Sequence, residues 1–151
     1  MIFLMINISL ISSLLVVFVL LLLVIPRIFY ILTLQSTFNA ISIGNRKMPS
    51  NNVWLLLIPI FGIIWQFIVV KKLSDSIRTE ANLRGIRISE LQPGYGVGQA
   101  MCILECFFFI PFINFFTGVA GFICWILYWI KINEYKKILL AEDLMLFGEL
   151  V

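Results

Sequence analysis

The chain has no histidine among its 151 residues, and only 13% of them are charged. The first absence removes the commonest general base and metal ligand of neutral pH. The second excludes an ordinary soluble domain, in which roughly a quarter of the residues carry charge. A large core does not explain the deficit, because a domain this small is mostly surface. That surface must be apolar and must meet lipid, in keeping with 62% hydrophobic residues and a mean hydropathy of +1.06. Cysteine is scarce too. Cys102, Cys106 and Cys124 all fall inside apolar runs, where disulfide frameworks do not form. They read as small packing residues, and neither metal nor cofactor is implied. Paired carboxylates and a nucleophile–base arrangement are also missing, which argues against an enzyme. Nothing in the modest net charge of +3 points to nucleic acid.

What the chain does have is four apolar runs, Ile2–Ile25, Val53–Val70, Val97–Ile113 and Phe115–Ile132. As helices, the first two would extend about 36 Å and 27 Å, against roughly 30 Å of hydrocarbon. The first lacks a basic flank and a cleavage site, so it reads as a retained span rather than a secretory signal. The second holds Pro59 and Gly62, which predict a kink, and Ser50, Asn51 and Asn52 ahead of it suit an N-cap. The last two are short and predict a tight hairpin turning near Asn114–Gly121. A re-entrant pair that fails to cross is the alternative. The expected architecture is all-α: one domain over residues 1–151, an integral bundle of four transmembrane helices with amphipathic helical extensions.

Basic residues set the orientation. Arg27, Arg46 and Lys47 lie between runs one and two. Lys71, Lys72, Arg78, Arg84 and Arg87 lie between runs two and three, and Lys131, Lys136 and Lys137 belong to the tail. With four crossings the second group shares a face with both termini. The positive-inside rule then places the N- and C-termini in the cytoplasm. Lys71–Arg84 reads as a helical extension with Lys71/Asp75 and Glu80/Arg84 spaced i, i+4. Leu73, Ile77 and Ala81 form its apolar stripe, and Gly85 is its stop. In the tail, Tyr135, Ile138, Leu139, Met145 and Leu146 share one face.

Glu105 is the sharpest candidate for chemistry. It stands at the middle of the third run, where a carboxyl is costly and faces protein or a water-filled cavity. The neutral acid is its expected state. Gly94, Gly98, Cys102 and Cys106 form a ladder of small residues beside it, and Thr117, Gly121 and Cys124 form a matching face on the fourth run. Small faces are where membrane helices approach closely. Counting from the expected turn pairs Cys106 with Cys124 and brings Tyr128, or Ser12 and Ser13, within reach of Glu105. Glu105 and Tyr128 are thus the candidate ion or proton site. Gly94-Tyr95-Gly96 lacks the pore-helix context of a potassium filter. Ile58-Pro59-Ile60-Phe61-Gly62 faintly echoes Ile110-Pro111-Phe112-Ile113-Asn114. The flanking residues diverge and the prolines lie at different depths, so the echo reads as coincidence.

Three stretches together carry a resemblance. They are Asn45-Arg46-Lys47-Met48-Pro49 running into Val53-Trp54-Leu55-Leu56-Leu57-Ile58-Pro59 and Trp65-Gln66-Phe67; Pro93-Gly94-Tyr95-Gly96 with Gly98; and Cys124-Trp125-Ile126-Leu127-Tyr128-Trp129-Ile130-Lys131-Ile132. Over roughly Gly44 to Lys137 the chain resembles a family of small bacterial multi-pass membrane proteins, a domain of unknown function. The resemblance implies a bacterial inner-membrane location and no mechanism. Glu105 departs from the apolar or small residue expected there. The expected function is non-enzymatic: helix–helix assembly in the bilayer, with copies of itself or as an accessory subunit of another membrane protein. The alternative is a small ion channel or proton-coupled transporter using Glu105.

Overall fold

The computed structural model describes residues 2–107 and 110–148. Among these it is all-helical, as expected. Four α-helices, α1 (Ile2–Asn39), α2 (Phe61–Arg84), α3 (Tyr95–Phe107) and α4 (Asn114–Gly148), are joined by 3-10 segments at Ile43–Asn45 and Ser50–Leu57. Two of these helices contain stretches long and apolar enough to cross a membrane, Leu10–Asn39 and Asn114–Glu142. The chain forms two compact units, Met1–Leu32 and Thr33–Val151.

The first unit is helix alone. Apolar residues succeed one another on every side of it, and Pro26 falls inside the helix without ending it. Side chains from Leu10 to Leu22 that are large and apolar are 45% to 68% exposed. Surface of that kind is stable in hydrocarbon and unstable in water.

The second unit holds the packed core. Leu73, Ile77 and Ala81, the stripe predicted on α2, are all buried, as are Val69 and Val70 before them. Met101 and Cys102 of α3 and Tyr128, Ile132 and Leu139 of α4 complete the facing surfaces. α2 stops at Gly85, whose left-handed φ of 71° lets the amide of Ile86 reach the carbonyl of Ala81. That is the Schellman closure, and it satisfies carbonyls that the helix end would strand. Tyr135 and Leu139 of the predicted tail face are buried and Ile138 is not. The side chains of Met145 and Leu146 lie outside the described residues.

The second apolar run does not form a kinked helix. Its first part is the 3-10 segment, opened by Pro49 with no side-chain cap from Ser50, Asn51 or Asn52. The chain then reverses at Ile58–Phe61 and α2 begins. Proline holds the residue before it extended, and Ile58 is extended at φ −75°, ψ 117°. Ile60 follows at φ 63°, ψ −56°, a γ-turn closed by the amide of Phe61 on the carbonyl of Pro59 at 2.6 Å. Pro59 therefore ends one helical segment instead of bending it. Gly62 is needed because the turn folds back on itself: a Cβ there would stand 2.5 Å from the carbonyl oxygen of Leu56.

Candidate functional site

Two features of the second unit position its chemistry: a buried carboxylate and a pair of apolar turns. Glu80 is 1% exposed. It follows Leu73 by seven residues and Ile77 by three, so helical periodicity turns it to the same buried face. Its Oε1 accepts from Ser42 Oγ at 2.6 Å and from Arg84 Nε at 2.7 Å. Its Oε2 accepts from Asn45 Nδ2 at 2.5 Å. Arg84 donates onward to the carbonyls of Leu139 and Ala40, at 3.1 and 3.3 Å. One ion pair thus joins the end of α1, the Ser42–Asn45 turn, α2 and α4. Burial pushes the Glu80 carboxyl up, but the hydrogen bonds from Ser42, Asn45 and Arg84 outweigh it and hold the group below its ordinary range. The sequence shows Glu80/Arg84 as a helical pair. It does not reveal the burial, although the spacing to Leu73 and Ile77 carries that signal.

A second carboxylate, Glu90, closes the base of the α3–α4 hairpin. It accepts from the Gly94 amide at 2.9 Å and from Lys131 Nζ. Burial acts to raise it, and the Lys131 contact and the Gly94 amide bring it below its ordinary range.

Gly94, Gly98 and Cys102 of the small-residue ladder are buried in this unit. A Cβ on Gly98 would stand 2.6 Å from Val70 Cγ1 and 2.7 Å from Tyr128 Cε2, so α2 and α4 both close on that residue. Gly94, at φ 70°, lies beneath Ile132 and Tyr128. Cys102 is buried, Cys124 half-buried and Cys106 exposed. Gly121 is buried and faces Leu104, while Thr117 is half-buried and donates its hydroxyl to the Ile113 carbonyl at 3.1 Å. These contacts set the register. Tyr128 stands against Gly98, and Gly121 stands against Leu104. The chain turns at Pro111. The described part of the turn is residues 110–113, ahead of Asn114. Glu105 is half-buried on α3 near that turn.

The structure also brings together two basic segments that the four-crossing layout separates. The four-crossing layout sets Arg46 and Lys47 on the face opposite Lys71–Arg87. In the structure the Lys47 amide donates to Ser76 Oγ at 2.9 Å, and Ser42 and Asn45 bond Glu80 directly. No bilayer fits between hydrogen-bonded partners.

The Ile-Pro echo, read from sequence as coincidence, is structural. Ile60 and Phe112 each follow a proline, and they are the two non-glycine residues with positive φ among the described residues, at 63° and 74°. In each turn an amide reaches back four residues, Gly62 to Ile58 at 2.7 Å and Asn114 to Ile110 at 3.1 Å. Each turn opens a long helix. No protein family, curated protein or solved structure matches the chain.

Proposed function

We propose that this is a non-enzymatic component of the bacterial inner membrane, acting by assembly with a second copy or another membrane protein. One observation carries the reading. The second unit commits its charged interior to holding itself together, while its periphery is apolar. Glu80, Arg84, Glu90 and Lys131 are each engaged in intramolecular bonds. Outward lie Ile64, Phe115, Phe116, Phe122 and Ile130, each more than half exposed. Such a surface fits lipid or an apolar helix of a partner, and transmembrane association needs only close packing there. The resemblance to small multi-pass membrane proteins agrees with this reading, as does the concentration of basic residues toward one end of the second unit.

The test is the state of the native chain in mild detergent and in lipid nanodiscs excised from its own membrane. A stable oligomer by light scattering, or a stoichiometric membrane subunit retained through purification, supports the reading. A monomer that conducts ions in liposomes rejects it in favour of the Glu105 channel.

A further inference from the structure

We infer that the two Ile-Pro turns are lipid-embedded tips of re-entrant hairpins, both inserted from the cytoplasmic face, so that the Val53–Val70 run enters the bilayer and returns without crossing it. The inference rests on the membrane reading above and adds the way the second unit sits in lipid.

The chemistry of the turns is the first argument. A reversal in water uses glycine, asparagine, aspartate or serine, which tolerate positive φ and hydrogen-bond to solvent. Here the left-handed positions hold isoleucine and phenylalanine, where a bulky or β-branched residue is a conformational outlier. They are also among the most exposed apolar side chains of the unit, Ile60 at 72% and Phe112 at 95%. Around them Leu57, Ile58 and Phe61, and then Phe107, Ile110, Ile113, Phe115 and Phe116, are exposed as well. A strained turn whose exposed side chains are apolar, with Asn114 the exception at the second, is suited to acyl chains. The carbonyls of Ile58, Pro59 and Ile110 are bonded within the turns, which lowers the cost of taking that backbone out of water.

Charge gives the second argument. Val70 and Tyr128 meet at Gly98, so Lys71 and Lys131, just beyond that contact, mark one level. Lys71, Lys72, Arg78, Arg84 and Arg87 follow it along the chain from α2, and Lys131, Lys136 and Lys137 follow it along α4. Arg46 and Lys47 join them through the bonds to Ser76 and Glu80 made by their segment. On the other side of that level, toward the tips, Glu105 is the one acidic or basic residue among the described residues of the unit. From Lys71 to Phe61 is about 15 Å of helix and from Lys131 to Asn114 about 26 Å. Both fall short of the roughly 30 Å hydrocarbon thickness. The first tip stops near the midplane, and the second stops close to the far boundary without a polar loop to place beyond it.

Lysines on the native chain test this without substitution. A membrane-impermeant amine reagent is applied to inverted and to right-side-out vesicles, and the modified lysines are identified by mass spectrometry. Lys47 should be modified together with Lys71, Lys72 and Lys137 in inverted vesicles and protected with them in right-side-out ones. Lys47 and Lys71 reacting from opposite faces would overturn the inference while leaving the membrane reading intact. As a second measurement, Ile60→Cys and Phe112→Cys, each with the three native cysteines replaced by alanine, should resist impermeant maleimide from both faces. Reaction of either from the face opposite Lys71 overturns the tip it belongs to. Release of the native chain by alkaline carbonate would instead defeat the membrane reading itself.

Discussion

Replacing Glu80 by alanine asks whether the interior ion pair holds the second unit together. As an exposed i, i+4 pair, Glu80 and Arg84 would contribute about 0.2–0.5 kcal/mol. The structure requires more. Glu80 is 1% exposed and accepts from Ser42, Asn45 and Arg84, so its removal strands donors on three residues. Breaking a buried pair costs about 3–5 kcal/mol when the partner charge stays behind. Arg84 is 15% exposed and bonds two carbonyls, which softens the penalty, so the lower end of that range applies. For a chain of this length, about 3 kcal/mol corresponds to a fall of about 6–12 °C in Tm. Thermal unfolding in mild detergent, followed by tryptophan fluorescence, measures it for wild type, Glu80→Ala, Arg84→Ala and the double variant. The two single losses should sum to more than the loss in the double variant, since each removes the same contact. Amide exchange at Asn45 and Arg46 should also quicken, because Glu80 anchors their turn. A Tm loss below about 2 °C with additive single effects would place the pair at the surface and refute the buried hub.

Acid should destabilise through the same residue. Glu80 is held below its ordinary 4.5 in the folded chain, so its contribution is complete above that value and disappears as pH falls through the lower, folded one. Tm measured from pH 7 downward should drop below about pH 4.5, and the drop should shrink in Glu80→Gln; an unchanged profile in that variant would count against the assignment. Gly62→Ala drives a methyl to 2.5 Å from a backbone oxygen that cannot rotate away. Overpacking of this kind costs about 1–3 kcal/mol, read as a lower Tm and accelerated exchange around Leu56. Ile60→Lys puts a cation on the apolar tip that stops near the midplane, at about 2.5–3.5 kcal/mol if that tip lies in hydrocarbon. It should reduce the carbonate-resistant fraction, whereas the control Leu83→Lys, at an exposed position among the basic residues of α2, should not. Glu105→Gln should leave proton flux in liposomes at the level of protein-free vesicles, as for wild type; flux in wild type abolished by the substitution would favour the channel.

Some features are legible in the sequence because periodicity and burial coincide there. Leu73, Ile77 and Ala81 are readable as a core stripe, Gly85 as a helix stop, and the all-helical class from hydropathy alone. Glu80 is harder, since a glutamate beside an arginine at i, i+4 looks like a solvated pair until the partners on Ser42 and Asn45 are known. Those partners come from a loop 35 to 38 residues away, and no local pattern announces them. The small residues of α3 and α4 are readable as a packing face, but their register is not. The chain turns at Pro111, which sets the pairing and closes Tyr128 on Gly98.

The meeting of the two basic segments is hidden for a different physical reason. Counting apolar residues measures the length of a run and assumes a constant direction of travel. Val53–Val70 is long enough to cross as one helix, but part of it is 3-10 and Pro59 and Ile60 reverse it. The charges on its two flanks then lie together, and the positive-inside rule applies to them jointly. A weak internal echo held the information that hydropathy discarded. Proline with an apolar residue at positive φ is an improbable combination in water, and its occurrence at both Ile60 and Phe112 is what separates a run that turns back from one that crosses.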